Sequence, residues 1–325
     1  MKNWTRRNSL QAIAALAVGL NVAAHAQGDW PSRPITLVVG YPPGGGSDTM
    51  ARIVAERMSV LLGQSVVIDN RPGGGGQIAD AYVARSAPDG YTLLIDASSF
   101  AINLGLGLKL SYSAQSFATV GLLAIFPLVV VAHPGFDAHS MADVIALAKA
   151  KPGSVFYASA GNGTVQQIVG AQLMQATGIE LTHVPYKGAG PAMNDVMGGQ
   201  VQLFFANPAA ALLQVRSGRL RALAVTGSHR LPELPEVPTL AETPVGALNA
   251  REWIGMYAPA ATPAAVLERL SMALRQTLSD PGVKARVAAL SGETFGGSRA
   301  ESVRFVDDEV TRMGRVIREH GIKAE

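Results

Sequence analysis

Apolar runs, glycine-rich loops and segments of helical periodicity alternate along this chain. The first apolar run, Ile35–Val39, is rich in β-branched residues and predicts a buried strand. The loop that follows, residues 40–46 with the sequence GYPPGGG, predicts an interruption, because proline lacks an N–H and glycine leaves the backbone unshielded. Ser47 or Asp48 is then expected to cap a helix that runs to Leu61. A strand, a glycine loop and a helix start together form the arrangement in which backbone N–H groups converge on an anion.

The nature of this anion follows from what the loop lacks. No Gly-Lys-Ser/Thr follows the glycines, and no G-x-G-x-x-G pattern fits the segment, so neither common phosphate-binding motif is present. The loop therefore favours a carboxylate over a phosphate. A tight turn with an ordinary helix cap is the alternative that this loop alone leaves open.

The same succession of elements occurs twice. A second apolar strand at residues 155–160 is followed by the small-residue loop 161–164 and by a helix that ends at Gly178, as the first ends at Gly63. Each copy continues with a second strand (66–69 and 181–186), a small-residue loop (71–76 and 187–190), a short helix (77–85 and 191–197) and a third strand (91–96 and 201–205). The pattern predicts two doubly wound α/β units whose ligand lies at the carboxyl ends of their strands.

Three further strands predict how the units are joined. Strands at residues 117–123 and 127–132 meet around Phe126 and Pro127, and a later strand at 253–259 returns after a proline-rich connection. Helices at 263–278, 281–290 and 299–319 complete the chain. We therefore predict a discontinuous first domain (27–124 and 251–325), an inserted second domain (125–250) and two crossings that permit hinge closure around a ligand.

The N-terminus predicts export. Lys2, Arg6 and Arg7 precede an apolar segment, and Ala24-His25-Ala26 is a signal-peptide cleavage site, so residues 1–26 are interpreted as a signal peptide cut after Ala26. The Sec route is favoured over the twin-arginine route. Cleavage lowers the formal net charge from +3 to 0, which argues against a general affinity for nucleic acid. The chain has no cysteine, so neither a disulfide nor a lipidated cysteine is expected, and the product is predicted to be periplasmic.

Motifs of enzymes and metal sites are missing from the sequence. There is no G-x-S-x-G, no H-E-x-x-H and no pair of histidines at ligand spacing. We therefore predict no catalytic residue, no metal and no cofactor. A periplasmic hydrolase with an unfamiliar set of catalytic residues is the remote alternative.

Six segments carry a resemblance to a known family. They are GYPPGGGSD (40–48), NRPG (70–73), APDGY (87–91), YASAGNGT (157–164), HVPYKG (183–188) and RALAVT (221–226). In combination and order they resemble the Bug-type receptors, the periplasmic solute-binding components of tripartite tricarboxylate transporters. The resemblance implies a type II periplasmic-binding-protein fold, a small organic carboxylate as ligand, and the large and small membrane subunits of the transporter as partners of a monomeric receptor.

The resemblance also implies a set of ligand-binding residues. These are Tyr41, Pro42, Gly44, Gly45, Asp48, Ala97, Ser98, Ser99, Ala160, Gly161, Thr164, Tyr186 and Asn207. For several of them a structural role is an open alternative: capping for Asp48 and Thr164, ending of a strand for Ser98 and Ser99, and packing for Tyr186. Arg71 and Lys187 are interpreted as solvated or structural residues, because each lies beside a loop glycine.

One departure from the family pattern bears on the ligand. Phe205-Ala206-Asn207 stands where the family commonly has Phe-Asp-Asn. The loss of an acidic acceptor disfavours amino acids and polyhydroxylated acids, so a dicarboxylate or an aromatic acid is favoured, provided that Ala206 faces the cleft. A receptor that docks on a sensor kinase instead of a transporter is the alternative function that the sequence leaves open.

Overall fold

The computed structural model describes residues 30–248, 250–319 and 321–322. The predicted signal peptide and its cleavage site after Ala26 lie outside the described residues. The strands are β1 (Ile35–Val39), β2 (Val66–Asn70), β3 (Thr92–Ala97), β4 (Phe117–Phe126), β5 (Val129–Ala132), β6 (Phe156–Ser159), β7 (Thr182–Pro185), β8 (Leu203–Ala206), β9 (Arg221–Val225), β10 (Glu252–Pro259) and β11 (Glu293–Thr294). The helices are α1 (Gly46–Leu62), α2 (Gln77–Ala84), α3 (Ser99–Gly105), α4 (Met141–Ala150), α5 (Val165–Thr177), α6 (Ala189–Met197), α7 (Pro208–Arg216), α8 (Ala264–Ser279), α9 (Pro281–Ala288) and α10 (Arg299–Glu319).

The strands form two sheets with the same central arrangement. In the first sheet the order is β11-β4-β10-β3-β1-β2, with β1 parallel to β2 and β3 and with β10 antiparallel to β3. In the second sheet the order is β7-β6-β8-β5-β9, with β6 parallel to β7 and β8 and with β5 antiparallel to β8. Each sheet thus has one central strand between two parallel neighbours and an antiparallel strand beyond. This arrangement confirms the internal duplication predicted from the sequence.

The chain crosses between the sheets twice. It leaves the first sheet after β4 and enters the second at β5, with only two residues between them, and it returns between β9 and β10. The first sheet therefore combines strands from both ends of the chain, while the second sheet is built from the middle. The exact domain limits given above stay a prediction.

Packing explains why the central strands are apolar throughout. In β1, Ile35, Leu37, Val38 and Val39 are fully buried, because helices cover both faces of the first sheet. Helix α10 packs against α3 and β4 with Val306, Met313 and Ile317 inward. Among the described residues, no helix is both long and apolar enough to cross a membrane.

The structure also corrects several local predictions. Helix α1 begins at Gly46 with Gly45 in the capping position and no side-chain cap, so Ser47 and Asp48 lie inside its first turn. Helices α3 and α7 and the short strand β11 were not predicted. Helix α3 was missed because it is buried on all sides, including Phe100, Ala101 and Ile102. A helix without an exposed face shows no alternation of apolar and polar residues at helical spacing.

Candidate functional site

A cavity of about 680 Å³ lies at the carboxyl ends of the parallel strands of both sheets. Its first wall comes from the loop 41–47 and from residues 97–99, which follow β1 and β3. Its second wall comes from segments within residues 160–166, 188–197 and 207–214. The two glycine loops singled out in the sequence thus face one cavity from opposite sides.

Helix N-termini supply the positive potential of this cavity. Helices α1, α5 and α6 begin at residues that line it or adjoin it. In α1 the first helical hydrogen bond is donated by the N–H of Thr49 to the carbonyl of Gly45, at 2.9 Å. The N–H groups of Gly46 and Ser47 therefore have no acceptor within the helix and can bind an anion.

Asp48 lies behind the first loop instead of in the cavity wall. Its buried carboxylate accepts hydrogen bonds from the N–H of Gly44 at 2.9 Å, from the Arg52 guanidinium at 2.9 and 3.0 Å, and from Asn70 at 2.9 Å. Burial alone would raise the pKa of Asp48, but the hydrogen bonds from Arg52, Gly44 and Asn70 lower it below its usual value. Asp48 therefore braces the loop as a carboxylate at neutral pH and does not line the cavity.

A chain of hydrogen bonds leads from the cavity wall into the first sheet. The hydroxyl of Tyr41 donates to Ser99 Oγ at 2.7 Å, and Ser99 donates to Asp96 Oδ1 at 3.0 Å. Burial and the neighbouring Asp80 raise the pKa of Asp96, while burial raises the pKa of Asp80 to about 7. Asp80 also accepts a hydrogen bond from the hydroxyl of Tyr112 at 2.8 Å.

The two buried aspartates form a carboxyl–carboxylate pair. Asp80 Oδ1 and Asp96 Oδ2 are buried without a hydrogen-bond partner among the described residues, and each carboxyl group shifts the pKa of the other. One proton shared between the two groups would satisfy both oxygens, since neighbouring buried carboxylates do not readily ionise together. The pair holds Ser99, and through it Tyr41, at the base of the cavity.

Ser98 differs from its neighbour Ser99. Its side chain lines the cavity and is almost fully buried, but its Oγ has no hydrogen-bond partner among the described residues. Across the cavity the same is true of Gln166 Oε1, at the start of α5. Buried polar atoms of this kind normally have a partner, so each wall contributes one side chain that a ligand would satisfy.

The second loop is braced by neutral groups. The hydroxyl of Thr164 donates to the carbonyl of Gly161 at 2.7 Å, and the N–H of Gly161 donates to Ser159 Oγ at 3.2 Å. The N–H of Gly163 donates to Gln167 Oε1 at 2.9 Å. Ala160 and Thr164 line the cavity, as predicted, whereas Gly161 lies just outside the wall.

The other predicted residues also divide into those that line the cavity and those that lie outside it. Tyr41, Pro42, Gly44, Gly45, Ala97, Ser98, Ser99 and Asn207 all line the cavity. Tyr186 does not line the cavity, and its hydroxyl donates to Asp195 Oδ2 at 2.6 Å within the second lobe. Burial, together with Asp195, raises the pKa of Tyr186 to about 12. Arg71 lies over the ring of Tyr82 at 3.6 Å and pairs with Asp69, also outside the cavity. Which of the lining residues bind a ligand stays a prediction.

Asn207 connects the two lobes. Its Oδ1 accepts the N–H of Ala209 at 3.0 Å and caps α7, while its Nδ2 donates to Glu252 Oε2 at 3.1 Å. Glu252 is the first residue of β10 and lies on the cavity wall. Burial raises its pKa. The sequence analysis missed Glu252, because only the antiparallel return of β10 beside β3 brings it to this position.

The lobes also touch at the rim of the cavity. A Cβ atom added to Gly75 would lie 2.7 Å from the backbone oxygen of Asn162, and one added to Gly163 would overlap the side chain of Asn103. These contacts join a loop of the first lobe to the second glycine loop. Only residues without a side chain permit such an approach, so the structure represents the cleft closed on this side.

Ala206 does not face the cavity. It is fully buried in an apolar cluster with Phe204 and Val129, and it is not part of the cavity wall. The inference from Ala206 to a ligand without amino or hydroxyl groups therefore loses its basis.

No group of three or more potential metal ligands occurs in the described part of the chain.

Comparisons with known proteins agree with this architecture. Residues 50–322 match the family described as tripartite tricarboxylate transporter family receptor. BugT of Bordetella pertussis is 35% identical over 99% of this chain and 99% of its own length. The structure of the periplasmic binding protein BugD is 32% identical and superposes with a TM-score of 0.85, covering 91% of this chain and all of that one. An R. palustris protein solved with adipate is 33% identical, with a TM-score of 0.86 over 90% of this chain and 99% of that one.

These matches confirm the resemblance found in the sequence and the periplasmic-binding-protein fold. They also confirm the prediction that the protein is not an enzyme, since the matched proteins with a described role are receptors and binding proteins. The family match includes parts of both lobes and every cavity segment after residue 50, while the loop 41–47 precedes it. The chain belongs to the tripartite tricarboxylate transporter receptor family.

Proposed function

We propose that the protein is a periplasmic receptor that captures a small organic carboxylate in the cavity between its lobes and delivers it to the membrane subunits of a tripartite tricarboxylate transporter. The composition of the cavity wall carries the proposal. Several helices begin at this wall, and among the described residues no arginine, lysine or histidine lines it. Backbone N–H groups are then the donors available to an anion. The similar protein that holds adipate supports a carboxylate as the ligand.

Simple magnitudes support binding without a cation. Hydrogen bonds to a charged group contribute about 1.5–3 kcal/mol each, and a favourable helix dipole adds about 0.3–1 kcal/mol. Micromolar affinity requires only about 8 kcal/mol. Three or four donors from the loops and from Ser98 are therefore sufficient.

A thermal-shift screen with calorimetric confirmation tests the ligand class. The chain from Gln27 to Glu325 is incubated with tricarboxylates, C4–C6 dicarboxylates, acidic amino acids and aromatic acids. A ligand at 100 times its dissociation constant is expected to stabilise the fold by about 2.7 kcal/mol. Silence across the whole panel would contradict a carboxylate receptor.

Delivery to a transporter needs its own experiment. The receptor, loaded or empty, is added to liposomes that contain the large and small membrane subunits encoded nearest to it. We expect uptake only with loaded receptor. Uptake that does not depend on the receptor, together with ligand-dependent binding to a sensor kinase, would favour the sensory alternative. Mass spectrometry of the exported protein would test the predicted first residue, Gln27.

A further inference from the structure

Glu252 is the one acidic side chain on the cavity wall, within the part of the chain that the structure describes. Among the described residues no basic side chain lines this cavity, so none of them neutralises Glu252 there. Its neighbour Arg251 is directed elsewhere, with its guanidinium 5.3 Å from the centre of the Phe305 ring. A receptor for anions would not be expected to place a carboxylate in its binding cavity, because the two charges repel each other.

Glu252 is also close to the expected position of the ligand carboxylate. Its Oε2 accepts the Asn207 amide at 3.1 Å, and the same amide nitrogen lies 3.4 Å from the Cβ position of Gly46. Gly46 provides one of the free N–H groups at the start of α1. A carboxylate bound there is thus separated from Glu252 by little more than one amide group.

Asn207 cannot satisfy Glu252 completely. The Asn207 amide supplies one hydrogen bond to Oε2, while a carboxylate has two oxygens and accepts about four. Tyr41, which lies near Glu252, already donates its hydroxyl to Ser99. Among the described residues only Asn207 is hydrogen-bonded to Glu252, so a further donor has to come from the ligand or from water.

We infer that Glu252 selects, among small carboxylates, those that carry a hydroxyl or ammonium group on the first or second carbon beyond the bound carboxylate. In this arrangement the helix N-termini bind the carboxylate, and Glu252 accepts a hydrogen bond from the substituent. Gln166 Oε1, which has no partner among the described residues, offers a second acceptor on the opposite wall. The inference rests on the proposed function and specifies its ligand class.

The test uses pairs of acids that differ by one donor. Calorimetry of the chain from Gln27 at pH 7.5 compares malate and aspartate with succinate, 3-hydroxybutyrate with butyrate, and mandelate with phenylacetate. In at least one pair, we expect the donor-bearing acid to bind ten times more tightly or better, because a hydrogen bond to an ionised acceptor is worth that factor.

Variants of Glu252 identify the origin of this preference. Glu252→Ala should weaken the binding of the donor-bearing acid, so that the two acids of a pair bind with about the same affinity. Glu252→Gln should keep a preference for hydroxyl and lose one for ammonium, because an amide oxygen accepts a hydrogen bond but carries no charge. Glu293→Gln is the matched control, since Glu293 is exposed on β11, and it should behave as the wild type.

Three results would overturn the inference. The first is equal affinity within every pair for the wild type. The second is a preference that survives in Glu252→Ala. The third concerns unsubstituted diacids: their affinity would fall with rising pH in the wild type but not in Glu252→Gln. That result would mean that a protonated Glu252 donates to a second ligand carboxylate. If unsubstituted acids bind without a preference, the inference fails while the proposed function stands; if no acid binds, both fail.

Discussion

The two glycine loops adjoin one cavity from opposite sides but are held by different chemistry. The first loop is fixed by an ionised acid, Asp48, whose carboxylate accepts hydrogen bonds from the N–H of Gly44 and from the side chains of Arg52 and Asn70. The second loop is fixed by neutral groups, mainly Thr164 and Gln167. The duplication thus preserved the position of the two loops, whereas the supports behind them differ.

The largest effect is expected where the loops meet. Gly75→Ala should lower ligand affinity at least 100-fold, about 2.7 kcal/mol, because its Cβ would press on the backbone of Asn162 and prevent closure. Gly63→Ala is the control: its φ of 68° is similar to the 62° of Gly75, but nothing lies near its Cβ position. Calorimetry gives the affinities, and small-angle scattering with saturating ligand reports closure. Equal affinity in the two variants would argue against the closed contact.

A second experiment compares the supports of the two loops. Asp48→Ala should reduce the free energy of unfolding by about 2 kcal/mol, because it leaves the N–H of Gly44 and the Asn70 amide without their acceptor. Thr164→Val, which removes one neutral hydrogen bond, should cost about 1 kcal/mol. Urea unfolding measures both. A larger loss for Thr164→Val would contradict the proposed difference between the loops.

The last experiment concerns pH. Burial raises the pKa of Asp80 to about 7 and raises that of Asp96, so between about pH 4 and 7 the folded protein binds more protons than the unfolded chain. Stability from this pair therefore falls as pH rises through that window, by up to about 1.4 kcal/mol per unit. Asp48 has a lowered pKa and acts in the opposite sense, with stability lost as pH falls below about 4.

The Asp80→Asn variant separates these contributions. An asparagine amide can donate to Asp96 as the shared proton does, so the slope between pH 4 and 7 should become flatter. Asp89→Asn is the control, because Asp89 belongs to an exposed ion pair with Arg33. Urea unfolding at several pH values provides the comparison. An unchanged slope in Asp80→Asn would show that the two aspartates do not share a proton.

Local patterns predicted the elements and contacts that depend on neighbours in sequence. The apolar run of β1, the glycine loop after it and the repeat of both are visible in the sequence, and the structure places both loops on one cavity. Helix α7 was missed although its signal was present: Asn207 caps it and Pro208 opens it. Here the information existed and was not used.

Other features depend on long-range packing that no local pattern reveals. Glu252 reaches the cavity through the register of β10 against β3 and β4, which is fixed by the return of the chain from the second lobe. The hydroxyl of Tyr186 is taken up by Asp195, nine residues later on the neighbouring helix. The direction of Ala206 likewise depends on which face of β8 is covered. Such contacts require the assembled fold.

The absence of a basic side chain on the described cavity wall has a consequence for how this receptor diversifies. Every residue except proline has an N–H, so most substitutions in the loops would leave the proposed carboxylate-binding groups in place as long as the backbone path is kept. Side chains on α6 and α7 can then change without removing the anchor for the acid. Such an anchor would leave the surrounding side chains free to vary among relatives that share about a third of their residues over nearly full length.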